Sequence, residues 1–247
     1  MEWIKDMDQD KKLLIFMVAG LMTLATMLGL MAVQKKDENP VLKSDAIRFK
    51  EEYEALNGTM NETNKMNYPI VEIKEDNPFV YKTDDEIVKF LENGTGIIYF
   101  GFSSCPWCRT AIPILMKAAE STSLGEINYV DIKNIRDSLT LDDNDQVVVS
   151  AEGTNGYKEI LKKLDKVLDP YYLISKNGKQ IDTKEKRLYA PTVIAIKNGN
   201  ILDIHVDTVK SQENGYTPLS AKEQEELFGI YQKMFLKLLD SSCDESC

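Results

Sequence analysis

The chain of 247 residues contains 43% hydrophobic and 28% charged residues, a composition that is typical of a globular protein and excludes a disordered one. Its formal net charge of −10 argues against a nucleic-acid partner, because phosphate binding requires a basic surface. His205 is the only histidine, so catalysis by a histidine base has little support and packing is the default interpretation of this residue.

A long apolar run without charges occupies residues 13–33, after a short N-terminal tail of residues 1–12. As an α-helix, the run is long enough to cross a bilayer core of roughly 30 Å. A buried core helix is the alternative, but lysines flank the run on both sides and no signal-peptide cleavage pattern follows it. The sequence therefore predicts a retained single-pass membrane anchor, whose orientation the flanking lysines and arginines do not decide.

Residues 34–67 are predicted to form a linker with a short juxtamembrane helix. Ser44 is the expected N-cap of this helix, which ends at Asn57-Gly58. Its narrow apolar stripe consists of Ala46, Phe49, Tyr53 and Leu56. We expect this stripe to pack on the domain that follows.

From residue 68 the pattern becomes alternating, and residues 68–73 are a predicted strand. Thr83 and Glu86 form a capping box that opens a helix ending at Gly94. The next predicted elements are a strand over residues 96–102, a helix that includes residues 111–120, and a strand over residues 127–132. A strand, a helix and a second strand at this spacing indicate a parallel, right-handed βαβ unit.

An acidic, polar insertion follows over residues 134–170, with a predicted helix at residues 157–168. Two strands then flank Asn198-Gly199, a dipeptide typical of a two-residue hairpin turn. Ser220 and Glu223 form a second capping box that opens the last helix. One face of that helix carries Leu227, Ile230, Tyr231, Met234, Phe235 and Leu238.

Cys105 and Cys108 lie at the predicted turn from strand to helix. Cysteines at this spacing share one side of the first helical turn and can close a small disulfide ring. Free helix amides and the helix dipole favour the thiolate of the first cysteine. Cys105 is therefore the predicted attacking thiolate and Cys108 the resolving thiol, while Pro106 fits an early helical position because it lacks an amide hydrogen.

Together with Pro113 in the following helix and Ala190-Pro191 before the hairpin, this cysteine pair makes residues 68–240 resemble the thioredoxin superfamily. The resemblance implies an α/β thioredoxin fold, a central mixed sheet flanked by helices, here with an insertion and a preceding transmembrane helix. It also implies that Pro191 is a cis-proline facing the disulfide and that its backbone edge pairs with substrate. A proline that merely opens a strand is the alternative interpretation of Pro191.

Within the superfamily the chain is most similar to membrane-anchored thioredoxin-like proteins of Gram-positive bacteria, some of which are labelled bacteriocin transport accessory proteins. One departure is Tyr99, which stands where cytosolic thioredoxins carry a buried aspartate, and it argues against efficient reduction of substrates. Trp107 is interpreted either as a substrate contact or as a cover for the sulfur. Arg109 is interpreted either as a modulator of the thiolate or as a solvated surface residue.

The sequence thus predicts a membrane-anchored thiol-disulfide oxidoreductase that acts on protein thiols and disulfides and exchanges electrons with a redox partner protein. No organic cofactor is implied, because the cysteine pair supplies its own two-electron chemistry. The domain is predicted to be extracytoplasmic, since disulfides persist there. Oxidation, isomerisation and reduction share the same mixed-disulfide step, so the direction of electron flow stays open.

The sequence also allows two alternatives to redox chemistry. The first is an accessory or scaffold module of an export system, for which the cysteines are dispensable. The second is a zinc site, which requires the two cysteines of the C-x-x-C segment together with Cys243 and Cys247 of the tail, residues 241–247. The distance in sequence between the two pairs disfavours zinc, and the tail pair is interpreted as a second dithiol or a non-catalytic disulfide.

Overall fold

The computed structural model describes residues 44–240 and the isolated Asp8. The elements in chain order are α1 (Asp45–Glu54), β1 (Phe79–Tyr81), α2 (Asp84–Asn93), β2 (Gly96–Gly101), α3 (Pro106–Ser121), β3 (Ile127–Asp131), β4 (Ser138–Leu141), β5 (Val147–Ala151), α4 (Asn155–Leu164), β6 (Asp169–Ile174), β7 (Gln180–Arg187), β8 (Thr192–Lys197), β9 (Asn200–Val206) and α5 (Ala221–Leu239). The predicted anchor and the tail cysteines lie outside the described residues. Within them, no helix combines the length and the apolar character that a membrane crossing requires.

The central sheet has five strands in the order β1-β3-β2-β8-β9. Strands β1, β3 and β2 pair in parallel, whereas β8 runs antiparallel to β2 and β9 antiparallel to β8. Helix α3 connects β2 to the parallel β3, so the predicted βαβ unit is present. The prediction of an α/β protein with a central mixed sheet flanked by helices is confirmed.

The sheet is buried on both faces, and the side chains of β2 alternate between two clusters. Ile97 and Tyr99 belong to one cluster, which also contains residues of α1, α3 and α5. Ile98 and Phe100 belong to the other, with residues of α2 and α4. Because both faces are covered, the central strands read as continuous apolar runs without a polar face.

The predicted strand over residues 68–73 is wrong, although the alternation behind it is real, since Val71 and Ile73 are buried. The backbone of this segment pairs with side chains at the end of α1. The N–H of Val71 donates to Oδ1 of Asn57 at 3.0 Å, and the N–H of Ile73 donates to Oε1 of Glu54 at 2.8 Å. These side chains satisfy the polar backbone groups that a neighbouring strand would otherwise bind.

The insertion contains more regular structure than its polar composition indicates. It holds the hairpin of β4 and β5, helix α4, and the hairpin of β6 and β7, which continues beyond the predicted boundary at residue 170. The predicted helix is present, but it starts at Asn155 because the Thr154 side chain caps it by accepting from the N–H of Tyr157 at 3.1 Å. It ends at Leu164, where a short 3-10 turn replaces the predicted last turn.

The turn between β8 and β9 forms at Asn198-Gly199 as predicted, with φ of 50° and 74°. A Cβ at Gly199 would overlap the carbonyl oxygen of Glu92. We expect Gly199→Ala to lower the free energy of unfolding by about 3 kcal/mol, since the left-handed backbone and the displaced carbonyl both cost energy. Urea denaturation of the variant and the wild type measures this loss.

Gly178 provides the matched control, because it has a φ of 77° and no atom within 4 Å of an added Cβ. Gly178→Ala should therefore lose only about 1 kcal/mol, the cost of the left-handed backbone alone. Equal losses in the two variants would contradict the importance of the contact with Glu92.

Candidate active site

The two cysteines lie at the start of α3, where the chain leaves the carboxyl end of β2. Cys105 is the N-cap residue, and its Sγ accepts a hydrogen bond from the N–H of Cys108 at 3.2 Å. Pro106 occupies the first position of the helix, as predicted. Both thiols are free, with Cys105 4% exposed and Cys108 fully buried. The first sulfur is therefore the one that an incoming group meets.

The loop before β8 lies against this first sulfur. The Ala190–Pro191 peptide bond is cis, in agreement with the expectation for Pro191. Sγ of Cys105 donates to the carbonyl oxygen of Ala190 at 3.4 Å. Tertiary structure thus brings together the cysteine pair and a turn that lies far away in sequence. Pro113 lies inside α3, which continues through it to Ser121.

Tyr99 lies on the inner side of the site, with its side chain fully buried. Its hydroxyl is 3.3 Å from the hydroxyl of Tyr53. It also lies beside the Cys108 thiol and favours the thiolate, because the phenol can donate to that thiolate. Burial is the main cause that raises the pKa of Tyr99 well above its ordinary value, so the phenol stays protonated. A protonated phenol beside a sulfur can donate a hydrogen bond to a thiolate but cannot take up its proton.

Burial also raises the pKa of Cys108 well above that of an ordinary thiol, and the neighbouring Cys105 raises it further. The hydrogen bonds from Tyr99 and from the backbone of Phe102 act in the opposite direction. Cys108 is consequently a neutral thiol at neutral pH. It becomes a nucleophile only when it loses its proton, a step that the Tyr99 hydroxyl favours by stabilising the thiolate.

We expect Tyr99→Phe to slow the attack of Cys108 on a mixed disulfide at Cys105 by about tenfold at pH 7. The reason is the loss of one hydrogen bond to a charged group, worth about 1.5 kcal/mol. Stopped-flow release of a fluorescent thiol from the mixed disulfide measures this rate. Tyr53→Phe is the control, because it removes the tyrosine pair but leaves the contact between Tyr99 and Cys108. Equal slowing in both variants would contradict a direct effect of Tyr99.

The interpretation of Arg109 as a solvated surface residue is wrong, because its side chain is fully buried. Its guanidinium donates to the carbonyl oxygens of Tyr53, Pro69 and Ser103 at 2.7, 2.8 and 3.2 Å and to Oδ1 of Asn57 at 2.6 Å. None of these hydrogen bonds reaches a sulfur. Arg109 therefore joins the chain around α1 to the helix that carries the cysteines.

Trp107 packs against the loop between β9 and α5, where an added Cβ at Gly215 would meet its ring at 2.8 Å. Its side chain remains partly exposed, so contact with substrate and cover for the sulfur both stay predictions. The buried Gln212 holds this loop on α3, since its Nε2 donates to Oγ1 of Thr110 at 3.3 Å and to the carbonyl oxygen of Thr217 at 3.0 Å. The contact of this loop with the site was not predicted, because the loop contains no recognisable sequence motif.

Two basic residues after β3 were not predicted to lie near the cysteine pair. Since β2 and β3 are parallel neighbours, the loops that follow them leave the same edge of the sheet. The guanidinium of Arg136 lies 5.0 Å from the ring centre of Phe102. Burial and the charge of Arg187 lower the pKa of Arg136, whereas Tyr157 and Cys105 act in the opposite direction. Nζ of Lys133 donates to Oγ of Ser104 at 2.9 Å. The sequence did contain a signal for them, because basic residues follow directly after β3, the parallel neighbour of β2.

Comparison with known proteins does not identify a family: no family model matches the chain, and no curated protein matches it. The hypotheses of a zinc site and of a second dithiol depend on Cys243 and Cys247, which the structure does not describe. In residues 44–240, no three residues among histidines, cysteines, aspartates and glutamates are grouped so that they could hold a metal ion.

Proposed function

We propose that this protein is a thiol-disulfide oxidoreductase with a thioredoxin fold. The observation that carries the proposal is the geometry of the cysteine pair: a slightly exposed thiol at a helix N-cap with a second, fully buried thiol one turn further on. The order of the strands, with the pair after β2 and a cis-proline before β8, supports the fold.

The reaction follows from the positions of the two sulfurs. The Cys105 thiolate attacks a disulfide of the substrate, forms a mixed disulfide and releases one substrate thiolate. The Cys108 thiol then loses its proton and attacks Sγ of Cys105, which releases the second substrate thiolate and leaves a Cys105–Cys108 disulfide. Two electrons pass to the substrate, which takes up two protons as its thiols form. The same steps in reverse oxidise a substrate dithiol.

The assignment of Cys105 as the nucleophile rests on exposure and hydrogen bonding. Its sulfur is the more exposed of the two and accepts a helix N–H, which stabilises a thiolate. Cys108 is buried, and among the described residues no carboxylate is a cause of its pKa shift, so little of it is a thiolate at neutral pH. It is therefore suited to the second, intramolecular step, in which its proximity to Cys105 compensates for the low thiolate fraction.

The wider proposal places this domain outside the cytoplasm on a membrane anchor formed by residues 13–33. Its substrates are proteins with thiols or disulfides, and a redox partner protein restores the cysteine pair after each reaction. Compartment and partner set the direction of electron flow, because the exchange steps are reversible.

The proposal is tested by the redox equilibrium of the full chain in detergent micelles against glutathione. A Cys243→Ser, Cys247→Ser background isolates the C-x-x-C pair, and alkylation of free thiols followed by mass spectrometry counts the disulfides. We expect one Cys105–Cys108 disulfide that forms and disappears in a single two-electron transition. Adding Cys105→Ser should abolish it. If no disulfide forms in any glutathione buffer, the redox proposal fails and a scaffold function replaces it.

A further inference from the structure

We propose that Arg136 is a specificity-determining residue that binds an acidic side chain of the substrate, close to the substrate cysteine that reacts with Cys105. The proposal rests on the oxidoreductase function and names a chemical class of substrate for it. The residues that support it belong to the loop after β3 and to the end of β7.

Arg136 is half-buried, yet no carboxylate pairs with it in the described part of the chain. Its ring partner is Phe102, whose carbonyl oxygen accepts from the N–H of Cys105 at 3.1 Å. Among nearby carboxylates, Asp131 accepts the backbone N–H of Lys133 at 2.8 Å. Burial raises the pKa of this carboxyl and the charge of Arg136 opposes that shift from a distance, but no ion pair within 4.0 Å joins the two side chains. Half-burial of an arginine without a carboxylate in direct contact is costly, so an anion from outside is stabilised there.

The neighbouring Arg187 does not compete for such an anion, because its own partners occupy it. Its Nη1 pairs with Oδ1 of Asp137 at 2.9 Å, and its guanidinium lies 4.6 Å from the ring centre of Tyr171. The ring of Tyr171 contacts that of Tyr189, the residue before Ala190. A continuous series of contacts therefore connects Arg187 with the turn that faces Cys105.

The positive charge of Arg136 contrasts with the negative net charge of the whole chain. Arg136 has a fork of planar donors suited to a carboxylate, and stacking on Phe102 restricts its orientation. The chain has a net charge of −10, so its long-range field repels acidic substrates. A preference for an acidic peptide therefore requires a local cation such as this one.

The test compares two fluorescent peptides that differ only in having Glu or Gln on both sides of a central residue. With serine at the centre, fluorescence anisotropy measures binding to the reduced full chain in detergent micelles, independently of redox chemistry. We expect the Glu peptide to bind about fivefold more tightly than the Gln peptide. Arg136→Gln should abolish this preference, and high salt should weaken it in the wild type.

Lys133→Gln is the matched control, because it removes an exposed cation from the same loop. It should keep the preference, and an equal loss in this variant would overturn the assignment to Arg136. Equal affinity of the wild type for both peptides would also overturn the inference, while leaving the oxidoreductase function intact.

A second measurement separates the two proposals. Peptides with cysteine at the centre, presented as glutathione mixed disulfides, report the rate of attack by Cys105. If neither reacts while the Glu preference in binding persists, the proposed function fails and the anion site stands. If Arg136→Gln slows the reaction of both peptides equally, Arg136 acts on the cysteine pair itself and the specificity inference fails.

Discussion

Replacing Cys108 with serine should trap the protein covalently on its substrate through Cys105. The buried Cys108 is the only described cysteine next to the first sulfur, and its removal leaves the mixed disulfide without an intramolecular nucleophile. Because well-oriented intramolecular attack has a very large effective molarity, we expect the lifetime of the adduct to increase at least ~100-fold. Non-reducing electrophoresis of membranes that contain the full chain, followed by mass spectrometry, measures the adducts.

Cys105→Ser is the control for this experiment, and it should form no adduct at the C-x-x-C pair. Both variants are best made in the Cys243→Ser, Cys247→Ser background, so that tail cysteines do not contribute. Comparable adduct levels in the Cys105→Ser and Cys108→Ser variants would contradict the assigned order of attack, since the fully buried sulfur of Cys108 would then be as accessible as the slightly exposed sulfur of Cys105.

Replacing Arg109 with leucine should destabilise the fold by about 4 kcal/mol. The substitution removes the guanidinium from four acceptors, and the carbonyl oxygens of Pro69 and Ser103 lose the only donor described for them. An unsatisfied buried group costs about 1–3 kcal/mol before relaxation. Arg109→Lys keeps the charge but not the planar fork, and it should lose about 2 kcal/mol. Urea denaturation followed by circular dichroism measures both losses.

Arg48→Leu is the matched control for Arg109, because Arg48 is exposed and contacts only the ring of Tyr81 at 3.7 Å among the contacts described for its guanidinium. It should lose less than about 1 kcal/mol. Limited proteolysis gives a second readout, since the Arg109→Leu variant should be cut faster between residues 55 and 73. A loss no larger than that of Arg48→Leu would show that the buried guanidinium does not hold this segment.

Elements whose signals are local were predictable from the sequence. The two capping boxes at Thr83 and Ser220 are present, and the Asn198-Gly199 turn has the positive φ angles that its residues tolerate. Each signal depends on residues that lie within a few positions of one another. The order of the central elements was also predictable, because a buried parallel strand and its crossover helix have distinctive apolar patterns.

Elements whose backbone partners come from elsewhere in the chain were not predictable in the same way. Residues 68–73 alternate like a strand, but the side chains of Asn57 and Glu54 take the place of a neighbouring strand. Strand β7 was missed because its exposed, charged residues resemble a polar loop, and without it β6 had no predicted partner. Pattern alone does not tell which partner satisfies an extended backbone.

The sequence by itself determined the cysteine pair, its place at a strand-to-helix turn and the α/β class, whereas the expectation of a cis-proline at Pro191 was implied by the resemblance to the thioredoxin superfamily. Only the tertiary structure decided that Cys108 lies beside the phenol of Tyr99, that Arg109 is buried, and that Arg136 contacts the ring of Phe102. The reason is physical: spacing along one helix or turn defines local geometry, whereas burial and charge depend on neighbours that the fold brings from distant parts of the chain.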